Sequence, residues 1–399
     1  MSNIPKLRFP EFTDAWEKCK LGKIVKERNE QYPKSNEYPL MAFISGQGIA
    51  DKGERYNRDF LVSDEESKKY KRTELDDFIY SSNNLETGSI GLNRYGKACI
   101  SPVYSIFYID KSNDPYFIGQ RLIQKDFIYQ MTRYRQGVVY GQWRIHEKDF
   151  LKLSIIRPAL PEQQKIGNLF KQLDRLITLH KRKWDDVILL KKALLQKMFP
   201  KNGSDFPEIR FPEFTDAWEK CKLGEVAEIY DGTHQTPNYK KSGIMFLSVE
   251  NIETMISDKF ISEDDFKREF KTYPTRGDVL MTRIGDIGTV NIVNTNQRLA
   301  YYVSLALLKP KLVLSEYLKP LIESELIQKE LWKRTLHVAF PKKINKGEIE
   351  EIPIIHPTLP EQQKIGALFR RLDRLITLHK RQHEHYQLLK KALLQQMFV

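Results

Sequence analysis

Two stretches of the chain place apolar residues every three or four positions for four to five heptads. In the first, Ile166, Leu173, Val187 and Leu194 share one heptad position, and Leu169, Leu176 and Leu190 fall three residues later. In the second, Ile365, Leu372, Tyr386 and Leu393 take the first position, and Leu368, Leu375 and Leu389 the other. Pro161 and Glu162 suit a first helical turn. A seam sustained this long predicts a coiled-coil-like pairing rather than a lone surface helix. About 39 residues at ~1.5 Å each make a rod of roughly 58 Å. The polar linker 201–205 follows the first helix and leads almost at once into the next block. The second helix must therefore run back alongside the first to bury its seam. Antiparallel helices with one block at each end, related by a pseudo-twofold, form a caliper.

The helices belong to a duplicated frame. RFPEFTDAWEKCKLG occupies residues 8–22 and returns letter for letter at 210–224. PALPEQQKIGNLFKQLDRLITLHKR from Pro158 is answered by PTLPEQQKIGALFRRLDRLITLHKR from Pro357. Between these repeats lie blocks 23–157 and 225–356, similar in length but without obvious identity. Both read as mixed α/β. The first has strand-like runs at 78–81, 98–100 and 104–109, then a helical stretch at 115–134. The second has strand-like runs at 244–249, 279–282, 289–293 and 301–308, then a helical stretch at 316–334. The expected class is α+β: two mixed α/β domains separated by two long antiparallel coiled-coil-like helices, pseudo-twofold duplicated. By chain segment the division is 1–157, 158–200, 201–356 and 357–399.

Hydrophobic residues make up 41% and charged residues 29%, the balance of a soluble globular protein. No apolar run approaches the roughly 20 residues that span a bilayer, and residues 1–12 show no apolar segment of a secretory signal. Cys19, Cys99 and Cys221 form neither a disulfide framework nor a CxxC metal pair. A cytoplasmic location is expected. The net charge of +13 and a pI near 9.3 point to a polyanionic partner, nucleic acid before membrane. The helices hold most of the excess: nine cations against four anions in 161–200, and eight against three in 360–399. The first block has 22 against 18, the second 18 against 19. The rod charges either follow a phosphate backbone or form a solvated face or a dock for acidic partner subunits.

LPEQQKIGNLFKQLDRLITLHKR, closing in LLKKALLQKMF, resembles the helical region of type I restriction–modification system specificity (S) subunits. The order reader, helix, reader, helix extends the resemblance over essentially the whole chain. LGEVAEIYDGTHQTP followed by GIMFLSVENI is similar to the start of a target-recognition domain in that family. GDVLMTRIGDIGTV and ISPVYSIFYI are similar to its strand motifs. The first block departs at its opening, LGKIVKERNEQYPKSNEYP, which lacks the glycine-threonine turn. The resemblance implies a non-catalytic subunit that binds two modification subunits through its helical regions, giving an adenine-N6 methyltransferase that uses S-adenosylmethionine. Two restriction subunits would add an endonuclease and translocase dependent on ATP and Mg²⁺. This chain would hold no cofactor itself and would read an asymmetric, bipartite site in double-stranded DNA. Two unlike readers on a rigid spacer agree with that expectation, because a fixed separation sets half-site spacing.

Chemistry of the chain's own is not signalled. There is no GxxxxGK[ST] loop, and Gly285-Asp-Ile-Gly288 is too short for a dinucleotide turn. Asn113-Asp-Pro-Tyr116 lacks the second proline of the amino-methyltransferase tetrapeptide and reads as a turn. The acids at 263–265 and 76–77 read as solvated loop charges. His379, His383 and His385 correspond to His180, Trp184 and Asp186, so only His180/His379 is common to both copies. That pair, at a seam position, is expected to hydrogen-bond or pack rather than hold a metal. Trp16/Trp218 and Cys19/Cys221 read as framework packing. Base readout needs Arg, Lys, Asn or Gln at groove edges. In the first block the candidates are Lys68, Lys69, Lys71, Arg72, Asn83, Asn84, Arg94, Tyr140, Gln142 and Arg144. In the second they are Thr233, His234, Gln235, Arg283, Lys342 and Lys343. Two other readings stand beside this one: a stand-alone duplicated DNA-binding or architectural protein, and a nuclease that would cut linear DNA with Mg²⁺.

Overall fold

The computed structural model describes residues 4–46, 48–51, 68–137, 143–201 and 203–398. Its chain forms two compact units, Met1–Leu179 with Gln382–Val399, and His180–Arg381. Each unit takes one framework repeat, one variable block, the start of the helix that follows, and the end of the other long helix. This partition crosses the segment bounds read from the sequence, because helical residues are grouped by what they pack against.

The first unit carries β1 (Glu17–Lys20), β2 (Val25–Glu27), β3 (Gln31–Tyr32), β4 (Ala42–Ile44) and β5 (Gly48–Ala50). Then come β6 (Tyr70–Thr73), β7 (Phe78–Tyr80), β8 (Ile90–Leu92), β9 (Ala98–Ile100) and β10 (Ser105–Ile109). Helices α1 (Pro115–Leu122) and α2 (Lys125–Thr132) precede the ribbon β11 (Gln136–Gly137) and β12 (Trp143–Arg144). After α3 (Glu147–Lys152) and β13 (Ser154–Arg157) the chain enters α4 (Leu160–Lys197).

The second unit repeats the plan with β14 (Glu219–Lys222), α5 (Leu223–Val226), β15 (Ala227–Asp231), β16 (Ile244–Leu247), β17 (Phe260–Ile261) and α6 (Glu263–Glu269). Next are β18 (Val279–Thr282), β19 (Val290–Ile292), β20 (Leu299–Tyr301) and β21 (Leu305–Pro310). The unit closes with α7 (Ser315–Glu323), α8 (Glu325–Arg334), α9 (Lys346–Glu350), β22 (Pro353–His356) and α10 (Leu359–Met397).

The central sheets share one topology although the blocks share no obvious sequence: β2-β10-β7-β8 in the first unit and β15-β21-β18-β19 in the second. The expected single helices at 115–134 and 316–334 are each two. Gln124 and Ser324 are extended and open the second helix of each pair. The expected strand at 301–308 is likewise two, β20 and β21.

The repeats hold the neck of each block. β1 pairs with β13 and β14 with β22, so the EKCK strand of each short repeat lies against the strand entering the long helix. Arg8 donates twice to the buried Glu162 carboxylate, both at 2.7 Å. Arg210 does the same to Glu361 at 2.8 Å. Gln163 donates to the Pro158 carbonyl at 2.8 Å and accepts from the Asp114 amide at 3.1 Å. Gln362 donates to the Pro357 carbonyl at 2.8 Å and accepts from the Leu314 amide at 3.0 Å. The Glu-Gln of PEQQ is therefore a buried clamp, since such polar groups are tolerated inside only when paired. A Cβ on Gly167 would stand 2.0 Å from Asp114 Oδ1. That Asp114 oxygen accepts from the Phe117 amide at 2.7 Å and starts α1 with Pro115 in its first turn, so Asn113–Tyr116 is a helix start.

Within each unit the long helices run antiparallel. In the first, Lys390 reaches Asp174 at 2.6 Å and His383 Nδ1 lies 3.1 Å from the Ile177 carbonyl. In the second, Lys191 reaches Asp373 at 2.7 Å, and His180 Nδ1 lies 3.2 Å from His379 Nδ1. Burial lowers the Lys191 pKa, but Glu323 and Asp373 outweigh it and hold it above the usual value. At the helix starts the plus-three residues Leu169 and Leu368 pack on the cores as expected, whereas at Leu190 and Leu389 the inward position shifts to four residues after the first. Phe170, Ile177, Trp184, Lys191 and Met198 face inward, while Leu190 and Leu389 are exposed. A helix turns about 100° per residue, so positions at plus three and plus four straddle the seam and only packing selects between them. Helix ends plug the cores. Met397 and Phe398 pack with Trp16, Phe117 and Phe170. Met198 and Phe199 pack with Trp218, Tyr317 and Phe369.

Candidate nucleic-acid interface

In the second unit β15 and β18 end, and β19 and β21 begin, at the same end of the sheet. Turns 232–243, 283–289 and 302–304 therefore converge there. The hairpin 336–343 joins them: the Leu336 amide donates to the Lys343 carbonyl and the Gly285 amide to the Lys342 carbonyl, both at 2.8 Å. Arg283 nails the cluster together from inside. It is 5% exposed, ion-paired with Asp231, and its Nε donates to the Ile344 carbonyl at 3.1 Å.

The first unit builds the same end with other residues. The Tyr80 hydroxyl donates to the Ile145 carbonyl at 3.4 Å, in the place that Arg283 Nε takes toward Ile344. Asn83 Oδ1 accepts from the Trp143 amide at 2.6 Å, and Ser82 Oγ accepts from the Ile145 amide at 3.0 Å. Arg135 holds Glu86 through two bonds of 2.7 and 2.6 Å. The turn 81–89 and the β11–β12 ribbon thus form one surface.

Several expected residues lie on these surfaces. Asn83, Asn84 and Arg144 are exposed at the first; His234, Gln235, Lys342 and Lys343 are exposed at the second. Thr233 is half-buried beside them, its hydroxyl donating to Glu269 at 2.9 Å and accepting from the Gln235 amide at 3.3 Å. Lys68 and Lys69 are exposed on the approach to β6, with the Lys68 ammonium 5.8 Å from the Tyr70 ring centroid. Tyr140 and Gln142 lie outside the described residues.

Four expected residues are engaged by other parts of the fold. Lys71 is buried; its Nζ donates to the Tyr104 carbonyl at 3.0 Å, and burial pushes its pKa down. Arg72 is stacked between Tyr32 and Tyr38, at 4.1 and 4.3 Å from their ring centroids. Arg94 stands at the opposite end of the sheet, paired with Asp76 and 4.6 Å from the Tyr116 ring centroid. Arg283 is the internal anchor already described. In each case a partner far away in sequence uses the cation, which neither residue type nor loop position reveals.

The surfaces also contain residues that polar criteria pass over. Trp143 is 49% exposed beside Arg144, and Val338 and Phe340 are 98% and 104% exposed at the 336–343 tip. The glycine-punctuated run before Trp143 and the FPKK sequence were the available signals. Among the described residues no group of three His, Cys, Asp or Glu is placed to hold a metal, and no helix is long and apolar enough to cross a membrane.

A family model described as the type I restriction modification DNA specificity domain matches residues 13–188 and again 215–385. The chain is 23% identical over 300 residues to the type I restriction enzyme MjaVIII specificity subunit of Methanocaldococcus jannaschii, covering 71% of this chain and 68% of that protein. In fold it is similar to the S subunit of a type I restriction–modification system from M. genitalium, with a TM-score of 0.62 at 14% identity over 99% of both chains. The chain therefore belongs to the type I restriction–modification specificity subunits, non-catalytic DNA-recognition components of those systems.

Proposed function

We propose that this chain reads an asymmetric, bipartite sequence in double-stranded DNA, one half-site per unit, across a spacer whose bases are not read. The observation that carries the reading is the pair of unlike loop clusters on one repeated frame. Asn83, Trp143 and Arg144 stand where the other unit has the 336–343 hairpin with Lys342 and Lys343. One sheet topology carrying different side chains at its loop end is what reading two different half-sites requires.

Two modification subunits would dock on the long helices and methylate adenine N6, each holding S-adenosylmethionine. Two restriction subunits would supply ATP- and Mg²⁺-dependent cleavage in the cytoplasm. The docking reading is supported by equivalent apolar positions exposed on the helices: Leu189 and Leu388 are each 67% exposed, and Leu179 and Leu378 are 41% and 47%. Their recurrence at equivalent positions of both helices is what two like docking sites for two like subunits would require.

The test is a genome-wide map of N6-methyladenine with the gene intact, deleted, or carrying a foreign block in place of residues 225–356. The expected result is one bipartite motif that vanishes on deletion and changes in one half on swapping. Methylation indifferent to all three states would overturn the reading in favour of a stand-alone DNA-binding protein.

A further inference from the structure

The most exposed apolar side chains of the described residues sit at the loop end of the second unit's central sheet. Phe340 and Val338 stand at the tip of the 336–343 hairpin, clear of the rest of their unit. The base of that hairpin is fixed. Lys343 bridges both Leu336 and Ile284, and the Ile344 amide donates to the Arg283 carbonyl at 3.0 Å. The tip is therefore presented by ordered backbone on the buried Arg283 anchor.

Lys342 and Lys343 follow this tip on the returning side of the hairpin, exposed and with no carboxylate partner among the described residues. Exposed Trp332 packs against His337 with the rings tilted and their centroids 4.8 Å apart. An apolar tip followed directly by two unpaired lysines fits a duplex better than a protein. Lysine is depleted in protein–protein contact cores, whereas phosphates take lysine and an opened base step takes an apolar wedge.

We infer that Phe340, supported by Val338, is a wedge that enters the base stack of the half-site read by the second unit, with Lys342 and Lys343 on the adjacent phosphates. Insertion opens one base step and bends the duplex there, so part of the specificity at that step is the cost of deforming it rather than contact with base edges. The inference rests on the proposed reading of the second unit as one half-site reader.

The experiment uses the chain assembled with its modification subunits and a duplex carrying the bipartite motif from the methylation map. 2-Aminopurine is placed in turn at each position of the second half-site. Wild type is expected to raise fluorescence several-fold at one step. Phe340→Ala should abolish that rise and weaken binding about tenfold, the loss expected when one stacking contact is removed. Phe340→Leu should retain most of both. Phe340 touches nothing that folds the unit, so unchanged thermal unfolding of the alanine variant is expected. Specific binding without a fluorescence rise at any position, or a rise that survives Phe340→Ala, would overturn the wedge while leaving half-site reading intact. Loss of modification subunits from Phe340→Ala would make the tip a protein contact and overturn it too. If the wild-type assembly prefers no sequence, the underlying reading fails and the wedge with it.

Discussion

The buried Arg283 and the partly exposed Asp231 form an ion pair between the ends of two sheet strands, across 52 positions of sequence. Arg283 Nε also donates to the Ile344 carbonyl, so one guanidinium fixes the geometry of three loops without facing solvent. Arg283→Met should cost about 1–2 kcal/mol, because it leaves the Ile344 carbonyl without its partner, while the partly exposed Asp231 carboxylate can turn to water. Denaturant unfolding checks the cost. At a permissive temperature the second half of the methylation motif should be unchanged, whereas a base-contacting arginine would alter it.

Arg144 is the opposite case. It is exposed beside Trp143 and only 3.8 Å from its nearest carboxylate, Glu147. Arg144→Ala should leave stability within about 0.5 kcal/mol of wild type. It should relax one position of the first half-site and cost about 1–3 kcal/mol in binding there. A methylation map of the variant gives the answer, and a change in the second half would refute the assignment of one half-site to each unit.

Leu189→Glu and Leu388→Glu place a charge on helix positions that are each 67% exposed. The folded chain should tolerate both. Co-purification of modification subunits should fall at least about tenfold, as expected when an apolar contact of an interface is replaced by an unpaired charge. Full recovery of the subunits from both variants would move the docking surface elsewhere.

Asp77 supplies a pH dependence. Burial pushes its carboxyl up to about 6, against the opposing pull of the Glu74 amide and Arg28. A carboxyl whose folded pKa lies above its unfolded value binds more protons when folded, so stability from this group rises as pH falls from about 7.5 toward 5. The stability of wild type minus that of Asp77→Asn should increase over this range by about 1–2 kcal/mol. A difference that is flat, or that shrinks on acidification, would show that the Arg28 pair dominates.

Much of the frame was legible in the chain itself. The repeats, their order and the 3–4 spacing of Ile166, Leu173 and Leu194 are local features, and the antiparallel pairing followed from a linker too short to allow any other. The role of PEQQ was not legible. Glu162 and Gln163 look like surface residues of a first helical turn, and only Arg8 and Asp114, brought close by folding, make them a buried clamp.

What the sequence by itself determined was the duplicated plan, the two long helices, and the blocks in which recognition residues must lie. Tertiary structure alone decided which cations are available. Lys71 is taken up by a carbonyl 33 positions away, Arg72 by two tyrosine rings, and Arg283 by Asp231, whereas Arg144, Lys342 and Lys343 remain exposed. It also decided that Phe340, an apolar residue normally assigned to a core, stands in water at the tip of a hairpin. The physical reason is common to all of them. Periodicity and repetition are properties of neighbours along the chain, but burial and pairing depend on which distant residues the fold brings within a few ångströms.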